Sequence, residues 1–283
     1  MSVVERRFDL HSGLQIAARV HNQGAPLRVF AVHGWLDNAA SFDALAACLP
    51  SCEIVAIDLI GHGRSDHRRV GSWYHFVDYL DELVQVLDEL GWQRSVWLGH
   101  SLGGALLAML ASAMPERVER LVLIESAGPL AGHADEAREQ LRRGLDDRLA
   151  SGRARPLRVF ADIGQAIDAR RKVNGLSMSA ARALVERGVR DVEGGFSWSS
   201  DPRLTLASPL RIDEAHIGNL LGSVTCPTLM LLADPPLPFM GSDDREARLA
   251  RFPRAVQHGF PGHHHLHMET PEPLAGHIRA FLD

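Results

Sequence analysis

The stretch Gly99-His100-Ser101-Leu102-Gly103-Gly104 stands between two segments of different character. Residues 95–98 before it are typical of a short buried strand, and the small apolar residues 102–113 after it predict a buried helix. A serine flanked by glycines between a strand and a helix is typical of a nucleophile elbow, a turn so sharp that the serine backbone is strained. Because glycine and serine are common, an ordinary strand-to-helix turn is the alternative. We predict that Ser101 is a nucleophile.

A nucleophilic serine needs a general base, and the stretch Gly262-His263-His264-His265-Leu266-His267-Met268-Glu269 supplies four histidines. The chain resembles the α/β-hydrolase fold superfamily, in which a loop after the last strand carries the catalytic histidine. Aligning the glutamates and the proline at the end of this segment with the pattern of that loop implies that His264 is the base. His267 then corresponds to a secondary histidine, and His263 is the fallback for the base.

Clustered histidines can also bind a metal ion. Zinc sites favour histidines that share one face of a helix or are joined by cysteine and carboxylate ligands. Pro261-Gly262 precedes the cluster and Pro271 follows it closely, which argues against such a helix. We therefore predict no metal site and no cofactor, and we expect His265 and His267 to pack or to face water.

The acid of the triad has two candidates. In this fold the chain order is serine, acid, histidine, so the acid lies between Ser101 and His264. The apolar strand at residues 228–233 ends at Asp234, and the resemblance favours this aspartate because Pro238 follows at the family's usual spacing. Glu125, at the end of the earlier strand 121–124, is the rival, since some relatives take their acid from that strand.

The resemblance also implies an oxyanion hole. Residues 29–32 form a predicted strand, and His33-Gly34-Trp35 follows it. The donors would be the backbone amides of Trp35 and Leu102, because two such amides stabilise the negative charge of a tetrahedral intermediate. We expect His33 to tie the loop together. The Gly-rich turn at residues 58–65 lacks the Lys-Ser/Thr ending of a P-loop, so nucleotide binding is not predicted.

The organisation of the chain agrees with this fold. Predicted strands alternate with helices, which indicates a mostly parallel sheet with helices on both faces. Residues 128–218 are rich in arginine and alanine, and segments 134–149 and 179–187 are typical of helices. We predict an α/β-hydrolase core formed by residues 1–127 and 219–283, with a helical cap over residues 128–218 inserted after the sixth strand.

Three short stretches are similar to one branch of the superfamily, the serine hydrolase-like proteins. They are Phe196-Ser197-Trp198-Ser199-Ser200-Asp201-Pro202-Arg203-Leu204, His33-Gly34-Trp35-Leu36-Asp37-Asn38 and His264-His265-Leu266-His267-Met268. Trp198 and Arg203 are candidates for a hydrophobic wall and a polar anchor of the substrate pocket, and packing of the cap onto the core is the equal alternative. His100 is a further candidate for substrate binding.

Composition narrows the class of partner. The chain has 283 residues, 30 basic and 35 acidic side chains and a formal net charge of −5, which gives no reason to expect nucleic-acid binding. Three cysteines form no disulfide framework, and no apolar run of about 18 residues indicates a membrane span. We expect a cytoplasmic protein that acts on a small ester-type molecule, without a membrane partner; the sequence leaves a homodimer open.

These motifs predict a serine hydrolase of the carboxylesterase type. Ser101 would attack a small or medium carboxylic ester to form an acyl-enzyme, with His264 as the base and Asp234 steadying the imidazolium. The same triad can act as a C–C bond hydrolase, a lactonase or a thioesterase. A protein of another class, a ligand-binding α/β-hydrolase homologue without catalysis, is the remaining alternative.

Overall fold

The computed structural model of the protein describes residues 3–151, 157–235 and 242–283. Within these ranges, eight strands form one central sheet and three short strands form a second sheet. The strands are β1 (Val3–Asp9), β2 (Gln15–His21), β3 (Leu27–Val32), β4 (Cys52–Ile57), β5 (Ser95–His100), β6 (Val118–Ile124), β7 (Val159–Phe160), β8 (Val189–Val192), β9 (Gly195–Trp198), β10 (Thr228–Asp234) and β11 (Ala255–Pro261).

Helices cover both faces of the central sheet. The α-helices of the described ranges, including those between β6 and β10, are α1 (Asp43–Ala47), α2 (Phe76–Glu89), α3 (Leu102–Ala113), α4 (Ala137–Ser151), α5 (Ile163–Asn174), α6 (Met178–Gly188), α7 (Glu214–Gly222), α8 (Ser242–Leu249), α9 (Leu266–Glu269) and α10 (Pro271–Leu282). Among the described residues, no helix combines the length and the apolar character needed to cross a bilayer.

The central sheet has the strand order β1-β2-β4-β3-β5-β6-β10-β11. The pairs β1–β2 and β2–β4 are antiparallel, and every other neighbouring pair is parallel. Strand β5 is buried along its whole length, as expected for a parallel strand covered by helices on both faces. The predicted α/β-hydrolase fold, with its mostly parallel sheet, is confirmed.

Two apolar clusters hold the helices onto the sheet. On one face, Leu83 of α2 and Leu107 of α3 pack with Trp97 of β5. On the other face, Leu45 of α1 and Ile278 of α10 belong to a second cluster. Full burial of each such aliphatic side chain stabilises the fold by about 1.5–3 kcal/mol. Helix α3 is buried from Gly103 to Ala111, which agrees with the prediction of a buried helix behind the serine.

A segment of helices and short strands, named the cap after the predicted insertion, lies between β6 and β10, after the sixth strand of the central sheet. The predicted helices at 134–149 and 179–187 correspond to α4, with a preceding 3-10 turn, and to α6. The sequence did not predict the small antiparallel sheet β7-β9-β8 in the same segment. Its strands are two to four residues long and mostly only partly buried, so they lack the buried apolar run that marks a strand in sequence.

The predicted end of the cap at residue 218 falls inside α7. Ile217 and Leu221 of this helix belong to the apolar cluster that also holds Leu107 of α3. Helix α7 packs against α3, so the predicted boundary divides a helix that contacts the layer over the sheet.

A buried ion pair ties the cap to the core. The Nε atom of Arg187, on α6, lies 3.0 and 2.9 Å from the two carboxylate oxygens of Asp58, which follows β4. Arg187 Nη1 also donates to Glu5 Oε1 at 2.8 Å. Asp58 accepts the backbone amides of Ala39 and Arg64 at 2.7 and 2.8 Å. One carboxylate therefore joins the cap to two loops of the core.

Replacing Arg187 with methionine is expected to lower the free energy of unfolding by about 3–5 kcal/mol, because Asp58 would stay buried without its counter-charge. The measurement is guanidinium unfolding at neutral pH. Arg182→Gln is the matched control, since Arg182 lies on the same helix in an exposed pair with Glu186. Its effect should stay below about 0.5 kcal/mol. Equal losses for the two variants would show that the Asp58 pair does not anchor the cap.

Candidate active site

Ser101 lies on the turn between β5 and α3 with a φ of 49° and a ψ of −114°. Such a backbone costs on the order of 1–3 kcal/mol for a residue with a side chain, and it persists only where the surroundings enforce it. A Cβ on Gly99 would lie 2.4 Å from the Cα of Gly104, and one on Gly103 would lie 2.0 Å from the Val32 carbonyl oxygen. Strand and helix therefore approach too closely for side chains at these glycines.

The predicted base, His264, lies in the loop between β11 and α9. Its Nε2 lies 2.9 Å from Ser101 Oγ, and its Nδ1 lies 3.4 Å from Glu125 Oε2. Because a carboxylate can only accept, Nδ1 donates to Glu125, and Nε2 then accepts the serine hydroxyl. Serine, histidine and glutamate thus form one chain of hydrogen bonds.

Glu125 follows β6 and is held in place by backbone groups of β10. Its φ is 51°, its own amide donates to the Leu231 carbonyl at 3.0 Å, and its Oε1 accepts the amide of Ala233. Burial would raise the pKa of this carboxyl, but the hydrogen bonds from His264 and Ala233 outweigh burial, so the pKa lies below its usual value. Glu125 is therefore ionised at neutral pH and faces the imidazole.

The structure changes the preference between the two candidate acids. Asp234 is the last residue of β10 and is exposed, whereas the carboxylate against His264 Nδ1 belongs to Glu125. Leu231 of β10 pairs with Ile124 of β6. Glu125 therefore lies level with the residue after Leu231, and Asp234 lies two residues beyond that level. The expectation that Asp234 is the partner of His264 is accordingly corrected to Glu125. Pro238, which supported Asp234, lies outside the described residues.

The predicted oxyanion donors lie on two adjoining turns. Trp35 follows β3, Leu102 is the first residue of α3, and the close approach of Gly103 to the end of β3 brings the two turns together. The amide of Leu102 has no acceptor within its own helix, because the first amides of a helix never do. His33 donates from Nδ1 to the Gly34 carbonyl at 2.7 Å and accepts the Leu59 amide at Nε2, so it ties this loop as predicted.

Two of the three candidates for substrate binding, His100 and Arg203, make contacts within the protein. His100 is buried, and its Nε2 donates to the His264 carbonyl at 2.8 Å, so it lies beneath the loop of His264. Arg203 pairs with Asp201 and donates to the Arg69 carbonyl of the core at 2.7 Å, so it fastens the cap. For Arg203 these contacts favour the alternative of cap packing, and a substrate contact of either residue stays a prediction.

Trp198 lines a cavity of about 100 Å³ between the cap and the core. Leu36, Asp37, Arg170 and Leu184 also line this cavity, whereas Ser101 and His264 do not. Trp198 further packs edge-on against Phe160, with ring centroids 5.1 Å apart. Trp198 thus both lines the cavity and packs within the cap.

The remaining histidines of the cluster also have distinct surroundings. His265 Nε2 lies 3.2 Å from Asp37, and His267 is buried against His100, with ring centroids 4.3 Å apart. Burial, followed by the nearby His100 and His265, holds the pKa of His267 well below its usual value, so that ring is neutral. His263 is half-buried. Within the described ranges, no group of three or more potential ligand side chains could hold a metal ion.

Sequence reasoning missed Asp37. This aspartate is buried, and His100, His265 and Arg170 surround its carboxylate. A signal was present in the sequence, since the acid stands three residues after Gly34 in the loop that carries the predicted oxyanion donor.

Comparison with known proteins supports the fold and the branch. The sequence matches the α/β hydrolase fold family over residues 28–159. It is 33% identical to the serine hydrolase-like protein of Danio rerio over 265 residues, covering 90% of this chain and 81% of that protein. The crystal structure of hypothetical protein PA1622 from Pseudomonas aeruginosa PAO1 is 39% identical, with a TM-score of 0.92 and coverage of 98% and 99%. The thioesterase domain from the curacin biosynthetic pathway is 26% identical, with a TM-score of 0.85 and coverage of 99% and 100%.

The sheet topology and the serine turn are those of an α/β-hydrolase. The chain belongs to the α/β-hydrolase superfamily and, within it, to the branch of serine hydrolase-like proteins.

Proposed function

We propose that the protein is a serine hydrolase that cleaves small or medium carboxylic esters through an acyl-enzyme on Ser101. His264 is the general base, and Glu125 is the acid that orients it. The observation that carries this proposal is the 2.9 Å contact between Ser101 Oγ and His264 Nε2 on a strained turn. A serine hydroxyl is a weak nucleophile until such a base accepts its proton.

The reaction proceeds in two halves. Ser101 Oγ attacks the ester carbonyl while its proton passes to His264 Nε2, and the carbonyl oxygen becomes an oxyanion. The amides of Trp35 and Leu102 stabilise that charge, a role in which one lost donor costs about 100- to 1,000-fold in kcat. His264 then returns the proton to the leaving alcohol. Water enters, His264 takes its proton, and attack on the acyl-enzyme releases the acid and restores the serine.

Glu125 stabilises the imidazolium that forms in both halves. Its lowered pKa keeps it negative at neutral pH, so the positive charge on His264 develops 3.4 Å from a carboxylate. No metal or cofactor is needed in this scheme.

Thioester hydrolysis is the second candidate. The curacin pathway domain that resembles this chain is a thioesterase, and it is similar over nearly the whole length of both chains. The same serine, histidine and acid serve both reactions, because only the leaving atom differs. Cleavage of a lactone or of a C–C bond would use the same nucleophile.

A substrate panel tests the proposal. The purified protein is assayed with p-nitrophenyl esters of increasing acyl length, an aryl thioester and a lactone, with Ser101→Ala as the background control. We expect hydrolysis of short to medium esters above that control. Folded protein that turns over none of these substrates would contradict the proposal and would favour a ligand-binding protein without catalysis.

A further inference from the structure

The side chain of Asp37 lies between four parts of the molecule: its own loop after β3, the turn before Ser101, the loop of His264 and the cap helix α5. Asp37 belongs to the loop that carries Trp35, and its amide closes a turn by donating to the Gly34 carbonyl at 3.1 Å. Its side chain is 2% exposed. A carboxylate removed from water to this extent requires several donors, so its partners define what it holds together.

Two of these partners flank the proposed catalytic residues. His100 precedes the nucleophile, and its Nδ1 lies 3.4 Å from Asp37 Oδ2. The opposite nitrogen of the same ring donates to the carbonyl of His264 at 2.8 Å. His265 follows the base, and its Nε2 lies 3.2 Å from Asp37 Oδ2. Asp37 thus contacts two residues that constrain the backbone of His264. His100 hydrogen-bonds to the carbonyl of His264, and His265 follows it in the chain.

The third partner comes from the cap. Arg170 lies on α5, and its Nη2 pairs with Asp37 Oδ1. The side chain of Arg170 is 14% exposed, so this pair is largely shielded from solvent. Next to it, Asn38 donates to the Leu184 carbonyl of α6 at 2.8 Å, which fastens the same loop to a second cap helix.

Charge keeps this arrangement together. Burial would raise the pKa of Asp37, but His265, His100 and Arg170 together hold it well below the usual range. Asp37 is therefore a carboxylate that accepts hydrogen bonds from His265 and Arg170, while His100 Nδ1 lies 3.4 Å away. An asparagine has the same shape but cannot balance the charge of Arg170 or accept at both side-chain atoms.

We propose that Asp37 is a positioning residue for His264, and that its ion pair with Arg170 makes the placement of the base depend on the seating of the cap. The inference rests on the proposed function, since it assigns His264 as the base. When the cap is seated, Arg170 fixes the carboxylate, and the carboxylate fixes His100 and His265 on either side of the histidine. Without that pair the His264 loop loses a constraint on its position relative to Ser101.

The test measures the rate of serine acylation in a form that separates chemistry from binding. A fluorophosphonate inactivates the wild type, Asp37→Asn, Arg170→Gln and Arg170→Lys, and kinact and KI are determined for each. A misplaced catalytic group costs up to about 100-fold, so we expect kinact of Asp37→Asn to fall by about 10- to 100-fold while KI changes little. Arg170→Gln should lose kinact in the same way, and Arg170→Lys should recover part of it, because the charge is retained.

Tyr74→Phe is the matched control. The Tyr74 hydroxyl donates to Asp201 at 2.7 Å and joins the core to the cap far along the chain from Asp37. This variant loses a cap contact without touching the loop of His264, so its melting temperature should fall while kinact stays at the wild-type value.

The outcomes distinguish a positioning role of Asp37 from a general loss of cap contacts. If kinact of Asp37→Asn equals that of the wild type, or if Tyr74→Phe loses as much, the positioning role is wrong. If Asp37→Asn does not fold, the two Arg170 variants decide, since equal kinact in both and in the wild type would overturn the inference. A wild type that does not react with the probe would contradict the proposed function instead.

Discussion

Replacing Ser101 with alanine is expected to lower kcat for ester hydrolysis by about a million-fold, as loss of the nucleophile does in serine hydrolases of this mechanism. Alanine lacks the hydroxyl that lies 2.9 Å from His264 Nε2, so the acyl-enzyme cannot form at this residue. The oxyanion amides remain and leave a residual rate above that of water alone. The measurement is release of p-nitrophenolate from the best ester of the panel.

Ser112→Ala is the control for this loss. Ser112 lies near the other end of α3, where its hydroxyl donates to the Met109 carbonyl within the helix. Its removal should leave kcat near the wild-type value. Substantial ester hydrolysis by Ser101→Ala at the wild-type pH optimum would show that another group carries the reaction.

The second large effect concerns the acid. Glu125→Gln is expected to lower kcat by about 10⁴-fold, because an amide neither fixes the productive tautomer of His264 nor stabilises the imidazolium. The glutamine can still accept the Ala233 amide that now binds Oε1, so the loop should keep its shape. Equal thermal stability of the two proteins would confirm that the loss is chemical.

Asp234→Asn is the direct counterpart of that variant. Asp234 is exposed at the end of β10, and we expect its substitution to leave kcat close to the wild-type value. The reverse result, an inactive Asp234→Asn with an active Glu125→Gln, would restore the assignment made from the sequence. Both variants remove one negative charge, so a general electrostatic effect would lower kcat equally in the two proteins.

The local features of the site could be predicted from the sequence. The glycines around Ser101 and the run of small apolar residues behind it fix a turn and a buried helix, and α3 has the predicted bounds Leu102–Ala113. Pro271, the first residue of α10, marks the first turn of that helix in the same way. These signals need no knowledge of distant parts of the chain.

The acid could not be chosen in this way, because two neighbouring parallel strands both end in a carboxylate at the same edge of the sheet. The register of β6 against β10 places Glu125 opposite Leu232, so Asp234 is two residues further along. At about 3.3 Å per residue, that difference moves the carboxylate by about 7 Å, which decides which of them meets the histidine. Register between strands distant in sequence is a tertiary property.

Strands with weak patterns were missed for a related reason. Strand β1 is exposed at six of its seven positions, and only Phe8 is buried, so it carries no alternating apolar pattern. Its place in the sheet comes from pairing with β2 along its whole length. The short strands of the cap are defined by pairing in the same way.

The central claim is that Ser101 is an activated nucleophile, and intact-mass measurement of the wild type after fluorophosphonate treatment tests it most directly. Peptide mapping then locates the label. We predict a single adduct on the peptide that contains Ser101. Folded protein that gains no adduct, or gains it on another residue, would contradict the account.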